Sequence, residues 1–413
     1  MRNQWTGGQY SLFRALLGLF MALHFLRLIP WGTELFSSQG ALALAAQSHA
    51  FSFFPNPLAY WNSPGFIGLF LASGVLAGIC LAIGLWDRWA AVFLWLIGAC
   101  LLDRNPLILN PHLPYLGWLL LAHACLPRAP YGSWEARRLS DRGASWSFPS
   151  ALYGAAWLVV SWTYSYSGYR KAFTHSWTDG TALSWILQHP MARDNSAAHL
   201  LAALPAPLLA ALGFGVLLLE FLNGPLALFR VLRPWVWAAV TWMHLVILAV
   251  LDFPELTLGM LVVQGFLFDP GWIKPRKVEG TPVLFYDGAC GLCHRTVVFI
   301  LAEDRQQPAF RFAPLQGKAF KRMVPAKVRA GLPDSLVVRT PGGILLTRSD
   351  AVLFLLETMG GLWRLMAWKG RLVPRAWRDR AYDVVARVRS RLFKKPKDLC
   401  PLGPKAWAAR FEA

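Results

Sequence analysis

Residues 282–294, PVLFYDGACGLCH, constrain this chain more than any other stretch, because a short apolar run passes directly into a Cys-x-x-Cys pair. Two cysteines so spaced at the start of a helix can close one reversible disulfide. A helix N-terminus favours negative charge through its free amides and its dipole, so Cys290 is placed to be the thiolate, the attacking species in disulfide exchange. The following residues 295–303, RTVVFILAE, repeat their apolar side chains with a helical period. The motif therefore predicts a strand, a tight turn and a helix, with both sulfurs at the junction.

The rest of the chain is of a different kind. Of 413 residues, 55% are hydrophobic and 15% charged, with 21 Trp and 26 Phe. Soluble domains carry nearer ~25% charged residues, so much of this chain is expected to lie in lipid. The charge is also uneven. Residues 281–413 hold 24 Lys and Arg against 10 Asp and Glu, whereas residues 1–280 hold 17 against 12. These shifts predict a membrane domain over 1–273, a polar linker over 274–281 and a basic soluble domain over 282–413.

Apolar runs long enough to cross ~30 Å of hydrocarbon are read near residues 11–29, 66–85, 89–102, 113–126, 150–169, 206–229, 234–251 and 254–268, about eight spans in all. Gly74 and Gly78 form a small-xxx-small pair that suits close helix packing. With eight spans, one set of loops contains eleven cations and the opposite set five. By the excess of positive charge on the inner side, both termini and the dithiol domain are expected to be cytoplasmic, in a multi-pass protein of the cell inner membrane.

Several polar groups in the apolar part need a reason. Lys171 follows YSYSGYR at the end of the fifth expected span; it reads either as a partly desolvated amine able to act as a base or as a residue snorkelling to water. His244 sits midway along a span and needs a partner, as a packing residue or a catalytic one. Glu220, inside LLLEFLNGP, is costly in lipid and so is a functional candidate by default, or else a structural carboxylate paired with Asn223 or a neighbouring helix.

Residues 10–272 resemble the membrane domain shared with vitamin K-dependent γ-carboxylases, the HTTM domain. The matching pieces are LFRALLGLF, ELFSSQGAL, LLDRNPLILN and YSYSGYRKAFTHSWTDG. The resemblance implies that Lys171 corresponds to the lysine that acts as base on the vitamin K hydroquinone, with Gly168, Trp177, Asp179 and Gly180 as its neighbours. It also implies that His244 lies near that site and that a quinone-like ligand is a possible cofactor. One extra residue separates Lys171 from Trp177, and the resemblance does not extend to the lumenal domain that binds the carboxylases' protein substrate, so glutamate carboxylation is not expected.

The soluble part reads as one α/β unit, with strands at 283–286, 310–313, 335–339 and 344–347 and helices at 290–303, 319–329, 350–359 and 375–393. A dithiol after the first strand of such a unit is the thioredoxin arrangement. Residues 282–404 resemble the DCC family of thiol-disulfide oxidoreductase-like proteins through YDGACGLC, FRFAPLQG, DSLVV, LTRSDAVLFLLETMGG and LCPLGP, in that order. The family's signature falls on Asp287, Gly288, Cys290 and Cys293, and its C-terminal cysteine on Cys400. This implies a thioredoxin-like fold and disulfide exchange, with Cys290 as nucleophile and Cys293 as resolving thiol. Asp287 is either the general base for Cys293 or a cap on the turn.

The CGLCH run also fits the Cys-x-x-Cys-His pattern of haem attachment and could supply two ligands of a zinc site. Zinc needs two further ligands, and haem attachment belongs to the oxidising face, so no metal is expected. Residues 364–397 set Trp, Leu, Val and Tyr on one side and cations elsewhere, a pattern that suits an anionic leaflet rather than nucleic acid. Three functions follow: a membrane thiol-disulfide oxidoreductase acting on protein or small-molecule thiols, a carboxylase- or epoxidase-like membrane enzyme using Lys171, and a non-enzymatic scaffold or transporter.

Overall fold

A computed structural model of the protein describes residues 3–42, 55–304, 309–393 and 405–412, so Cys400 lies outside the described residues. The described residues are mostly helical and carry one small mixed sheet. It divides into two compact units, one made of Leu12–Leu126 and Pro149–Phe268, the other of Asn3–Ser11, Pro127–Phe148 and Asp269–Ala413.

In the first unit, the helix Pro64–Ile83 shows how the local sequence sets its ends. Ser63 accepts the Phe66 amide, Pro64 takes the first turn, and Gly84 closes the helix in the left-handed region at φ 73°. A methyl group on Gly78 would stand 2.6 Å from the Ala22 backbone nitrogen, so this helix meets the N-terminal one almost backbone to backbone. Arg14, 1% exposed, donates 2.6 Å to the Leu81 carbonyl and lies 3.8 Å from Asp87.

The expectation of eight spans does not hold. Among the described residues, three helices are long and apolar enough to cross a membrane: Gly7–Phe36, Pro64–Ile83 and Arg233–Val250. A fourth arises if Ser196–Ala202 and Ala206–Phe221, bent by 107°, count as one span. The remaining runs fail for identifiable reasons. Asp87–Arg104 carries Asp87, Arg88, Asp103 and Arg104. His112–Ala124 has 13 residues and Pro254–Leu267 has 14, about 20 Å of helix each. Ser150–Lys171 is long enough but rich in Ser, Thr and Tyr. The run 206–229 breaks after Phe221 into a second short helix, Asn223–Leu228.

The second unit is built on four strands, β1 (Val283–Tyr286), β2 (Arg311–Pro314), β3 (Val337–Arg339) and β4 (Leu345–Thr347), in the order β2-β1-β3-β4. The pair β1–β2 is parallel, joined through the helix Gly291–Glu303, and β1–β3 and β3–β4 are antiparallel. Every residue of β1 is buried. Leu284 and Tyr286 pack with Val297, Ile300 and Phe354 in one cluster, and Val283 and Phe285 pack with Phe320 and Val324 in another. Alternate residues thus point to opposite, covered faces, which is why β1 reads as a continuous apolar run.

The helix expected over 319–329 is two pieces, Lys318–Met323 and Ala326–Ala330, separated at Pro325, because the residue before a proline is driven out of helical geometry. A helix not foreseen, Gly361–Arg371, is capped by Gly360 and begins at Gly361, both at positive φ. Glu303, 2% exposed, is a hub of this unit. It accepts the Thr6 hydroxyl, the Gly8 amide at 2.7 Å and the Trp363 indole N–H at 2.8 Å.

Candidate active site

The dithiol stands at the exit of β1. Cys290 is the N-cap of the helix Gly291–Glu303, with an extended backbone (φ −104°, ψ 118°), and its Sγ accepts the Cys293 amide at 3.3 Å. Serine or asparagine normally fills that capping role; a sulfur there is held where helix amides favour its anion. Both cysteines are unbridged and buried, Cys290 at 8% and Cys293 at 5% exposure, so Cys290 is only marginally the more accessible.

The two thiols are driven apart electrostatically. Cys290 is lowered to about 6, first by the hydrogen bond from the Cys293 thiol and then by the Cys293 amide and the Arg389 guanidinium, against the cost of burial. Cys293 is raised, because it serves as the donor to Cys290 and is itself desolvated. The resting site is therefore one thiolate and one thiol at neutral pH.

The turn is held by a closed set of polar contacts. Asp287 Oδ1 accepts the Ala289 amide at 2.9 Å and Gln316 Nε2 at 2.8 Å. Gln316 Oε1 in turn accepts the Gly288 amide at 3.2 Å. His294 Nε2 lies 3.0 Å from the Gly288 carbonyl. From the helix Arg375–Leu392, Arg389 Nη2 reaches Asp334 at 2.7 Å and Asp287 at 3.7 Å, and the Tyr382 hydroxyl accepts the Leu336 amide at 2.9 Å. Gln316, Asp334, Tyr382 and Arg389 were not foreseen as part of the site. Tyr382 and Arg389 are seven residues apart and so share a helix face, a spacing legible in the sequence but read there as part of a lipid-docking run.

The residues singled out in the apolar part separate into three places. Lys171 Nζ meets Glu220 at 2.5 Å and stands 4.8 Å from the centre of the Trp177 ring. Gly168 makes this possible: a methyl group there would lie 2.3 Å from the Phe221 nitrogen, so the helices Ser150–Lys171 and Ala206–Phe221 touch at the backbone. Asp179 instead accepts the Thr181 amide and hydroxyl, at 2.9 and 2.7 Å. His244 pairs through Nε2 with the Tyr164 hydroxyl at 2.7 Å. Of the two partners expected for Glu220, the structure gives the neighbouring helix, through Lys171, rather than Asn223. An aromatic cavity of about 730 Å³, lined by Trp157, Trp162, Tyr166, Tyr169 and Phe221, opens in the same unit.

A lowered thiol capping a helix, with a raised thiol one turn on, is the apparatus of a thiol-disulfide exchange protein. Residues 284–395 match the family described as DCC1-like thiol-disulfide oxidoreductase, and the chain belongs to this family. It is 31% identical over 135 residues to a chloroplastic DCC family protein of Arabidopsis thaliana, covering 32% of this chain and 77% of that one. It is 32% identical over 133 residues to the uncharacterized protein YuxK of Bacillus subtilis, covering 31% of this chain and 92% of that one. No solved structure matches the chain.

Proposed function

We propose that the protein is an integral membrane thiol-disulfide oxidoreductase whose second unit, thioredoxin-like in its β2-β1-β3-β4 sheet, carries the reaction at Cys290 and Cys293. The observation that carries this reading is the placement of the pair: Cys290 Sγ caps the helix and accepts the Cys293 amide at 3.3 Å, which favours the thiolate at Cys290 over Cys293. The Cys290 thiolate attacks one sulfur of a substrate disulfide. The substrate S–S bond breaks, a mixed disulfide forms, and the first substrate thiolate leaves and takes up a proton. Cys293 then gives up its proton, for which Asp287 is the candidate acceptor, and attacks Cys290 Sγ. The second substrate thiol departs, and the protein holds one disulfide in place of two thiols. A dithiol, or two monothiols in succession, reduces that disulfide through a second mixed disulfide and leaves as a disulfide, which returns the pair to its two-thiol form.

Three apolar helices support membrane insertion. Lys274, Arg276 and Lys277 follow closely on the apolar helix Pro254–Leu267 and favour a cytoplasmic second unit in a cell inner membrane. Exposed Trp368, Leu372, Val373 and Trp377, set among arginines and lysines, suit contact with an anionic leaflet. The experiment is reduction of a protein disulfide by the purified full-length chain in detergent, with a small dithiol supplied as the reductant that regenerates the pair. Turnover is expected for the wild type and none for the double variant Cys290→Ser, Cys293→Ser; equal turnover in both would defeat the reading.

A second activity in the first unit is favoured by one specific arrangement, the Lys171–Glu220 pair against Trp177. The γ-carboxylase-like reading makes Lys171 a base toward a quinone-like ligand; the aromatic cavity is large enough for such a molecule and is lined by Tyr169 and Phe221, chain neighbours of Lys171 and Glu220, though not by Lys171 itself. Saturable binding of a ubiquinone or menaquinone analogue that is lost in Lys171→Ala supports it, and undiminished binding in that variant contradicts it.

A further inference from the structure

The C-terminal helix Arg375–Leu392 is strongly cationic, yet one of its stripes is turned onto the second unit. Arg378 Nη1 lies 3.1 Å from Asp350 Oδ1 and 3.0 Å from the Ser349 hydroxyl, Tyr382 receives the Leu336 amide, and Arg389 meets Asp334 and Asp287. Arg378, Tyr382 and Arg389 are spaced by four and seven residues, a single helical face. The Arg389 side chain is 12% exposed, whereas its closer partner Asp334 is 79% exposed. An arginine drawn in to this degree by a carboxylate that is itself in solvent has another reason to be there. The family match runs to residue 395, so this helix lies within the matched region and is not an appendage to it.

We propose that Arg389 is a positioning residue that holds the Cys290 thiolate by its charge, and that Asp334 sets how much of that charge Cys290 receives. The proposal rests on the reading of Cys290 as the attacking thiolate. The groups facing the pair are Asp287 and His294 from the turn and its helix, Asp334 from the approach to β3, and Tyr382 and Arg389 from the C-terminal helix. Two of these are carboxylates, which work against a thiolate. Arg389 interacts electrostatically with both sulfurs and ion-pairs with both carboxylates, so it neutralises the opposing groups as well as attracting the anion. Neutralising Asp334 frees Arg389 toward the sulfur, and neutralising Arg389 leaves the carboxylates unopposed. Opposite effects from two partners of one ion pair distinguish electrostatic tuning from simple support of the fold.

The test is iodoacetamide alkylation of Cys290 in the reduced, detergent-solubilised full-length protein, followed across pH by tandem mass spectrometry of the peptide. Arg389→Gln is expected to slow alkylation about fivefold near pH ~6 while leaving the rate at high pH within about twofold of wild type. Arg389→Lys is expected to keep most of the wild-type profile. Asp334→Asn, at an exposed position that leaves folding intact, is expected to move the profile the other way and speed alkylation at acid pH. Profiles for Arg389→Gln and Asp334→Asn that superimpose on wild type, or that move in the same direction, overturn the proposal. If Arg389→Gln does not fold, an unmoved Asp334→Asn profile overturns it alone. Alkylation reads the thiol without any substrate disulfide. A tuned Cys290 in a protein with no reductase turnover would therefore contradict the proposed function and leave this inference standing.

Discussion

The dithiol turn and the Lys171–Glu220 pair are both small polar sites, but they are made in opposite ways. Around Cys290 and Cys293 the essential geometry is local: strand, turn and helix cap lie within a dozen residues, and the amide that meets Cys290 Sγ comes from three positions away. Lys171 and Glu220 are 49 residues apart and meet because Gly168 lets two helices touch. A local site survives small changes in packing, whereas a site assembled from two helices depends on the interface between them. The first is therefore expected to fail by chemistry when mutated and the second by folding.

That contrast can be broken or sharpened by experiment. The largest effect is expected from Cys290→Ser, which removes the attacking thiolate and should lower disulfide reduction about 10³-fold or more with the unfolding midpoint unchanged. Retention of most activity would remove the chemistry from this turn. Next, Lys171→Ala leaves Glu220 buried without its counter-charge and should cost about 3 kcal/mol in denaturant unfolding while the reductase rate stays at wild type. A rate that fell in parallel would show that the two sites do not fail separately. Glu303→Ala strands three donors of the second unit and should cost about 2–3 kcal/mol by the same unfolding measurement.

The smallest effects belong to the turn itself. Gln316→Ala removes one acceptor and one donor at the partly exposed Asp287–Gly288 turn and should cost about 1 kcal/mol, with a modest loss of turnover. Alkylation of Cys290 is expected to rise with pH through about 6 and then level off, because the thiolate is the reacting form and its affinity for the proton is lowered. A midpoint near the ordinary thiol value would contradict the hydrogen-bonded arrangement.

The same contrast explains what the sequence disclosed. The run VLFY followed by Cys-x-x-Cys defined β1 and the redox helix nearly to the residue, because apolar continuity and the cap are local signals. Short apolar runs bounded by turn residues placed the remaining strands within two residues at each end. Pro325 stands inside the run 319–329, and reading that run as one helix left out the break a proline imposes on the residue before it. The count of spans went wrong because hydropathy alone credits short helices such as His112–Ala124 and polar ones such as Asp87–Arg104. Arg389 was hidden by its neighbours: in a helix with so many arginines, which one faces inward depends on tertiary contacts with Asp334 and Asp287. Glu220 was recognised as costly, but its true partner is far away in the chain.

The most direct measurement of disulfide exchange at Cys290 is a trapping experiment with Cys293→Ser. Incubated with an oxidised protein substrate and resolved without reductant, that variant is expected to accumulate a mixed disulfide mapped by mass spectrometry to Cys290. Adducts absent, or carried instead by Cys80, Cys100 or Cys125, would contradict Cys290 as the attacking thiol.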